Sequence, residues 1–495
     1  MKLAGVEHHS SYEWNPESNA THNQNFSTEN AEADIRQLKL SSLPKPGSID
    51  IVVGSPPCTQ FSFSNRGGGG NIEDGLIDLH KFLSIVKYLK PKYWAMENVP
   101  RVRNIIDDLV ARHPDFKQFR GMITFNGVVN CWEYGVPQKR KRMICGHFPH
   151  ELFLSYREKC PRYSMDDALP QLDSKARLDK LYGWPKGKVT DNEKETPLDN
   201  EETRINREAK VYHPVYNRMP FPDPRDRPAR TVTSLCTRVS RESIVIANGK
   251  GYRRLSVRER GVLMGFPVSY QFYGNSHSSK LKMIGNAIPP PLTYHLFNAM
   301  AERDYIPLRS QENYVHKRPS APSPETSPPV PKQQFKPNRS FRMCVSGYRF
   351  GSGVRFELSN LKSKWRVRFF YGSSTNIHEM QLDDNLKEKL VAKLPKKTFV
   401  ATRVSLKKLS GDRLQSAWTG KDGVHPFIAV DELGLFGEKI KTQLPPQEKL
   451  KEIIEDILPG KINRSLLESP ETTVSGLILG VQFNETIKEM ESNAD

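Results

Sequence analysis

One cysteine of the sequence follows two prolines, just after an apolar run that predicts a buried strand. The run covers residues 48–54, and Pro56 and Pro57 lead from it to Cys58. Ligands bind at the carboxyl ends of parallel strands, and proline stiffens the chain that approaches them. A thiolate in such a rigid, partly open place is a nucleophile. Cys58 is therefore a candidate nucleophile, and the alternative is a buried structural cysteine, the commoner role of a lone cysteine.

A carboxylate and an amide lie at the end of a second predicted strand. Residues 93–96 are aromatic and apolar, and Glu97 and Asn98 follow them directly. A carboxylate placed beside a thiolate can move protons on a substrate ring. Glu97 is therefore a candidate acid or base, and the alternative is a solvated glutamate at the end of a strand.

A basic segment predicts a third strand with polar donors on one face. Alternate residues of a strand share a face, so Gln138, Arg140 and Arg142 are expected to point the same way. Their side chains offer donors to a base edge or to phosphates. The alternative is a basic strand on the surface.

The elements around these residues predict an α/β domain. Strand and helix patterns alternate over residues 1–148. Apolar residues recur at helical spacing from Leu76 to Leu89, and Pro91 ends that helix. Residues 142–146 predict a further strand. The three candidate segments therefore belong to one sheet and its loops.

The rest of the chain divides by composition. Residues 149–250 are rich in proline and charged residues and show few regular elements, whereas regular patterns return over residues 251–306. Residues 307–340 hold many Pro and Ser residues, which predicts a flexible or polyproline linker. Residues 341–495 predict a second domain, α+β or β-rich, whose first part is basic with aromatic residues interleaved.

The totals favour an acidic partner and exclude several classes. The formal net charge is +18 over 495 residues, which suits a polyanion such as nucleic acid; the alternative is a soluble basic protein. The six cysteines form no C-x-x-C pair, so the sequence predicts neither a metal site nor a disulfide framework. Free cysteines of this kind favour a reducing compartment. We expect no signal peptide and no membrane span, because no apolar run reaches the required length.

Five segments together resemble the cytosine-5 DNA methyltransferases, in the order that this family has them. They are the Pro-Cys loop at 57–58, Glu-Asn-Val at 97–99, Gln-x-Arg-x-Arg at 138–142, the segment 254–259 with Gly-Phe-Pro at 265–267, and the Gly-Asn turn at 285–286. Each motif is weak or moderate alone, and the ordered set is specific. The resemblance covers roughly the first 300 residues. It implies a Rossmann-like, S-adenosylmethionine-dependent methyltransferase fold.

The resemblance also implies a mechanism. Carbon 5 of cytosine is a poor nucleophile until a thiolate adds to carbon 6, and Cys58 matches the family's thiolate. Glu97 is expected to contact or protonate ring atom N3, and Asn98 to hold the geometry of the site. Arg140 and Arg142 are expected to support the base and the Glu97 carboxylate. The target base must leave the duplex, which costs a few kcal/mol.

The cofactor site implied by the resemblance is incomplete. Glu13 is expected on the ribose hydroxyls and Trp14 against the adenine. The remaining residues that match cofactor positions are Asp34, Ile35, Pro57, Leu79 and Asn286. The family opens with a strand and a Phe-x-Gly-x-Gly loop, and this sequence begins after that motif. We therefore expect an exposed apolar sheet edge, and either a start codon placed too late or a disabled relative.

The resemblance implies double-stranded DNA as the partner. Residues 149–250 match the place of the target-recognition region, and residues 66–70, rich in glycine, suit a flap that closes over DNA or a merely flexible loop. The basic domain at 341–495 either adds non-specific DNA affinity or is an ordinary domain with a cationic face. We expect a monomer, with a cognate restriction endonuclease or as an orphan enzyme, in a prokaryotic cytoplasm or a eukaryotic nucleus. Two alternatives are a tRNA cytosine-5 methyltransferase and a non-catalytic DNA-binding relative.

Overall fold

The chain forms two compact units. In the computed structural model, the described residues are 1–30, 32–57, 72–173, 175–186, 195–211, 219–310, 314–330, 341–350, 354–361, 364–371, 376–400, 440–458, 466–467 and 469–492. Of the described residues, the first unit comprises those within 1–57, 72–198 and 222–330, and the second comprises those within 199–221 and 341–492. Cys58 and the glycine-rich segment 66–70 lie outside the described residues.

The first unit contains a four-stranded sheet. Its strands are β1 (Ile51–Gly54), β2 (Tyr93–Asn98), β3 (Phe125–Asn130) and β4 (Lys141–His147), in the order β1-β2-β4-β3. β1 and β2 are parallel, whereas β4 runs antiparallel to β2 and to β3. The strands predicted within residues 48–54, 93–96 and 142–146 are therefore confirmed as β1, β2 and β4.

β1 lies at one edge of this sheet. Within the described residues β1 pairs with β2 alone, and Val53 is 45% exposed. Gly54 ends β1 against α2 (Ile72–Leu89), where an added Cβ would lie 2.3 Å from the Phe82 ring. The close approach of strand and helix therefore requires glycine at this position.

Helices cover both faces of the sheet. The described helices of the first unit after α1 (Pro16–Phe26) and α2 are α3 (Val102–Arg112), α4 (His150–Ser155), α5 (Met165–Ala168), α7 (Val257–Leu263), α8 (His277–Asn286) and α9 (Pro290–Met300). Successive strand residues enter different apolar clusters, because side chains alternate between the faces of a sheet. Met96 and Cys145 pack with α2 and α3, whereas Ala95 and Ile144 pack with α4 and α9. The result is a helix–sheet–helix sandwich of the Rossmann-like type.

The region after β4 has few regular elements, as predicted. Besides α4 and α5, the described residues there form α6 (Asn200–Val211), which groups with the second unit. A hairpin then joins β5 (Val245–Asn248) to β6 (Gly251–Arg254). It leads into α7, where Ser256 and Glu259 form a capping box.

The segment predicted as a flexible linker is partly docked on the first unit. His316 is 5% exposed, and its ring nitrogens lie 2.9 Å from Ser269 Oγ and 3.0 Å from the Asn25 carbonyl oxygen. Lys280 donates to the Pro324 carbonyl over 2.6 Å. The prediction of flexibility is therefore wrong for residues 314–324. Composition did not reveal this, because the segment is held through its own carbonyls and one histidine.

The second unit is α+β. Its strands are β7 (Phe341–Phe350), β8 (Val354–Leu361), β9 (Lys364–Tyr371) and β10 (Asn376–Gln381), and its further described helices are α10 (Asp384–Lys393), α11 (Gln447–Ile457) and α12 (Pro470–Ser492). The strands form an antiparallel sheet in the order β10-β9-β8-β7. α12 packs on β7 and β9 and also contacts α10 and α11.

None of the described helices combines the length and apolar character that crossing a bilayer requires.

Candidate active site

The Glu97 carboxylate lies where three chain segments meet. Glu97 is the second-last residue of β2, Arg142 is the second residue of β4, and Ser55 directly follows β1. Arg142 Nε lies 2.7 Å from Glu97 Oε1, and Ser55 Oγ donates to Glu97 Oε2 over 2.6 Å. The side chains of Glu97 and Arg142 are only 9% and 13% exposed. Each carboxylate oxygen therefore has a donor, and the group is held in one orientation.

Asn98 ties the end of β2 to the proline loop. Its side-chain amide donates to the Pro56 carbonyl over 3.1 Å, and its Oδ1 accepts from the backbone N–H of Val99 at 2.9 Å. Asn98 is 1% exposed and Pro56 is buried, whereas Pro57 is exposed. Cys58 follows Pro57 in the chain, so this contact anchors the loop two residues before the predicted nucleophile.

Arg140 has a different environment from Arg142. Within the described residues Arg140 donates to the carbonyls of Val232 at 2.9 Å, Gly285 at 2.6 Å and Ala287 at 3.4 Å, and it is 1% exposed. Both arginines were expected to support the Glu97 carboxylate. Arg142 contacts that carboxylate, whereas the hydrogen bonds given above for Arg140 go to backbone carbonyls.

The reason for this difference is that β4 begins only at Lys141. Gln138 and Arg140 precede the strand, so the alternation that predicts a shared face does not extend to them. Gln138 is also fully buried; its amide donates to the Leu263 carbonyl and its oxygen accepts from Val232 N–H at 2.8 Å. The side-chain amide of Gln138 therefore bonds within the protein interior. The prediction that Gln138 offers donors to a base edge is wrong.

The closing Gly-Asn motif is the end of a helix. The sequence predicts a tight turn at residues 285–286, whereas the structure places Gly285 and Asn286 in the last turn of α8. An added Cβ on Gly285 would lie 2.2 Å from Ser234 N, so this glycine lets the two backbones touch. Asn286 is exposed.

Three cysteines are excluded as nucleophiles by burial. Cys131 lies close to Arg140 and Arg142, yet burial raises the pKa of its thiol to about 12, against the opposing pull of the two arginines. Burial likewise raises the pKa values of Cys145 and Cys160 to about 12. These thiols stay protonated and inert near neutral pH. The described residues also contain no group of three or more His, Cys, Asp or Glu that could hold a metal ion.

The predicted cofactor residues form a second group on the N-terminal segments. An isolated parallel bridge joins Glu13 to Glu32, which brings the Glu13 segment beside that of Asp34. Glu13 Oε1 accepts from Asn15 N–H at 2.8 Å, and the side chain of Trp14 is 59% exposed. Two carboxylates and an open indole face are therefore available on adjacent segments.

Two other predicted cofactor residues are less accessible. Leu79 is fully buried among core side chains of α2, and Ile35 is half-buried. Next to Leu79, Asp78 accepts two bonds from Arg36, at 2.6 and 2.8 Å, which fixes the Asp34 segment to α2. Sequence reasoning missed this pair and Ser55, because each contact joins residues about 42 positions apart without a local pattern.

A family model and curated relatives identify the family of this chain. A family model described as C-5 cytosine-specific DNA methylase matches residues 1–302. The type II methyltransferase M.FnuDI of Fusobacterium nucleatum is 27% identical over 310 residues, covering 57% of this chain and 84% of that protein. The type II methyltransferase M.HindV of Haemophilus influenzae is 27% identical over 322 residues, covering 63% and 94%. The crystal structure of the S. pombe Dnmt2 methyltransferase aligns with a TM-score of 0.44 at 14% identity, covering 61% of this chain and 93% of that one.

Proposed function

Because the chain belongs to the C-5 cytosine-specific DNA methylases, we propose that it transfers a methyl group from S-adenosylmethionine to carbon 5 of cytosine in DNA. One observation carries the proposal. The Glu97 carboxylate is held by Arg142 and Ser55 at the end of the parallel strand pair, and Asn98 anchors the loop that leads to Cys58. The type II relatives favour a role in a restriction–modification system or as an orphan enzyme.

Cys58 starts the reaction in this proposal. Its thiolate adds to carbon 6 of the flipped-out cytosine, and the electron pair of the 5,6 double bond becomes available at carbon 5. S-adenosylmethionine, when bound, supplies the electrophilic methyl group and leaves as S-adenosylhomocysteine. A base then removes the proton from carbon 5, the double bond re-forms, and the Cys58 thiolate is released.

Glu97 contacts or protonates ring atom N3 of the cytosine in this proposal. Addition of the thiolate places negative charge on the ring, and a hydrogen bond or proton at N3 stabilises it. Arg142 and Ser55 hold the carboxylate in place, so little side-chain freedom is lost when the base arrives. Arg140 is a positioning residue, since its contacts join the start of β4 to the segments at Val232 and Gly285.

The N-terminal group fits the adenosine half of the cofactor. Glu13 and Asp34 offer carboxylate acceptors for hydroxyl and amino groups, and the exposed face of Trp14 suits a stacked adenine. Pro57 and Asn286 are exposed and Ile35 half-buried, whereas Leu79 has no exposed surface. Leu79 is therefore left out of the proposed contacts.

The domain assignment follows the same proposal. Residues 1–148 and 251–306 form the catalytic domain, and residues 149–250 read the target on double-stranded DNA. Residues 307–340 connect to an accessory domain at 341–495. The enzyme acts as a monomer.

The test is methyl transfer by the purified full chain from labelled S-adenosylmethionine, with duplex DNA and RNA offered in parallel. We expect label on DNA cytosine, and none with Cys58→Ala. Cys131→Ala is the matched control, because its buried thiol takes no part. Label in the Cys58→Ala variant, or on RNA alone, would overturn the proposal.

The Glu97→Gln variant tests the role of the carboxylate in the reaction, and DNA binding by the same variant shows that the protein is folded. Loss of a positioned acid–base group typically costs about 100- to 10,000-fold in rate, so turnover should fall by that order while DNA binding persists. An unchanged turnover number in this variant would remove the role proposed for Glu97.

A further inference from the structure

The helix α1 buries polar side chains rather than apolar ones. Its three buried residues are Asn19, Thr21 and Asn25, and Phe26 at its end is its one large apolar side chain. Most helices are positioned by the packing of an apolar face. Because α1 has no such face, hydrogen bonds have to fix its place in the first unit.

Acceptors at every fourth residue of α1 meet backbone N–H groups at every second residue of the segment 271–275. The pairs are Glu17 with Asn275 at 2.8 Å, Thr21 with Tyr273 at 3.0 Å, and Asn25 with Gln271 at 2.9 Å. Four residues of a helix rise about 6 Å and two residues of extended chain span about 6.6 Å, so the two repeats match. These three pairs are called the polar ladder below.

The Thr21 and Asn25 pairs of the polar ladder are shielded from water. Thr21 is 4% exposed and Asn25 is 6% exposed. The side-chain amide of Asn25 also donates to the Gln271 carbonyl at 2.7 Å, so this pair is bonded in both directions. A buried N–H that loses its acceptor is costly, and these two pairs therefore restrain α1 most strongly.

The segment 314–324 covers the Asn25 end of the polar ladder. His316 Nε2 lies 3.0 Å from the Asn25 carbonyl oxygen, and Ser323 N–H donates to Gln271 Oε1 at 3.3 Å. His316 and Ser323 are themselves 5% and 7% exposed. Three separate parts of the chain are therefore joined around this end of α1.

The other end of α1 leads directly to the candidate adenosine-binding residues. Asn15 is the N-cap of the helix, and Trp14 precedes it. Glu13 Oε1 accepts from Asn15 N–H at 2.8 Å, and the Glu13 carbonyl accepts from Ala33 N–H at 3.0 Å. The carboxylate of Glu13 and the indole of Trp14 are therefore placed by the position of α1.

We infer that the polar ladder positions Glu13 and Trp14 for the adenosine of the cofactor, and that Thr21 and Asn25 are positioning residues. Loss of one pair lets α1 shift, which misplaces the carboxylate and the indole. The Glu97 carboxylate is held by other segments, so cofactor affinity should change while the chemical step is spared. The inference rests on the proposed function in placing adenosine at Glu13 and Trp14.

The experiment measures binding of S-adenosylhomocysteine to the full chain by calorimetry, without DNA. Thr21→Val keeps the branched shape but removes the acceptor of the Tyr273 N–H, whereas Thr21→Ser keeps the hydroxyl. We expect Thr21→Val to weaken binding about 5- to 10-fold and Thr21→Ser to restore it to within about twofold of the parent chain. Equal binding by Thr21→Val and the parent chain, or no binding by the parent chain, would overturn the inference.

The matched control is a threonine outside the polar ladder. Thr293 of α9 donates from its hydroxyl to the Pro290 carbonyl at 2.9 Å. Thr293→Val should leave the affinity for S-adenosylhomocysteine unchanged. A loss equal to that of Thr21→Val would show a general effect of removing a hydroxyl and would reject the inference.

A double-variant cycle tests whether the polar ladder acts through Trp14. Trp14→Ala should weaken binding, because the stacking surface is lost. Adding Thr21→Val to Trp14→Ala should then cost less than it does in the parent chain, since there is no indole left to misplace. Losses that multiply in full would contradict the inference.

Turnover on DNA gives an independent readout. In Thr21→Val the KM for S-adenosylmethionine should rise about 5- to 10-fold, while kcat at saturating cofactor and the KM for DNA stay near the parent values. A lower kcat with an unchanged KM would reject a positioning role at the cofactor. Binding of S-adenosylhomocysteine needs neither Cys58 nor DNA, so failure of the proposed methyl transfer and failure of this inference are distinguishable.

Discussion

The two units of this protein place their arginines in different settings. In the first unit, Arg140, Arg254, Arg258 and Arg260 are among the largest fully buried side chains. In the second unit, five arginines lie in the strands β7, β8 and β9 of an antiparallel sheet. A net charge of +18 suggests a polyanion partner, yet buried arginines contribute to that total without facing a partner. Net charge alone therefore does not locate a surface that binds DNA.

The buried cluster around Glu195 shows how the first unit neutralises its charge. Arg254 donates to both oxygens of Glu195, at 2.6 and 2.7 Å, and Arg238 and His277 lie within 3.4 Å of the same carboxylate. Burial alone would raise the pKa of Glu195, but His277 and Arg254 hold that pKa below its usual value. The cluster ties residues before and after the hairpin β5–β6 together.

The largest effect should come from breaking this cluster. Arg254→Met leaves a buried carboxylate short of its main partner, so the free energy of unfolding of the first unit should fall by about 3 kcal/mol. Denaturant unfolding measures it. Adding Glu195→Gln removes the stranded charge and should restore part of the loss; a double variant no better than the single one would contradict this account.

The next largest effect concerns Arg140 and Arg142, whose replacement should change stability and turnover to different extents. Arg140→Lys loses the fork that reaches Val232 and Gly285, and we expect about 2 to 3 kcal/mol less stability. Arg142→Lys should instead lower methyl transfer with a smaller loss of stability, because lysine keeps a positive charge beside the Glu97 carboxylate. Unfolding and turnover measured on both variants decide it. Equal stability losses would erase the distinction.

A smaller effect should appear on acidification, because His316 stays neutral in the folded protein at pH values where the unfolded chain protonates it. Burial lowers the pKa of His316 to about 4, so between pH 6.5 and 4 the unfolded chain binds the extra proton. Stability should therefore fall as pH drops through this window, by about 1 to 2 kcal/mol at pH 5 from this group. His316→Gln should flatten that part of the pH dependence. Burial also lowers the pKa of His295 to about 4, so this residue should contribute to the same loss of stability and keep part of the pH dependence in the His316→Gln variant.

Much of the catalytic half was predictable from local patterns. The strands that carry Glu97 and Arg142, the helix that ends before Pro91 and the capping box at Ser256 follow from apolar periodicity and capping chemistry, which neighbouring residues determine. The family followed from the order of the motifs, and the match over residues 1–302 confirms it.

Other features were decided only by tertiary structure. Ser55 meets Glu97, and Arg36 meets Asp78, because parallel strand ends and a helix bring distant segments together. The docking of His316 depends on a carbonyl almost 300 positions away, which no composition rule detects.

The sequence by itself determined the residue types that can do chemistry, their order, and the total charge of the chain. The tertiary structure decided which arginines bind carbonyls and carboxylates of the first unit, as Arg140 and Arg254 do. The physical reason is that burial and pairing depend on contacts between distant segments. A buried guanidinium therefore stabilises the fold only where carbonyls or carboxylates of other segments satisfy its donors.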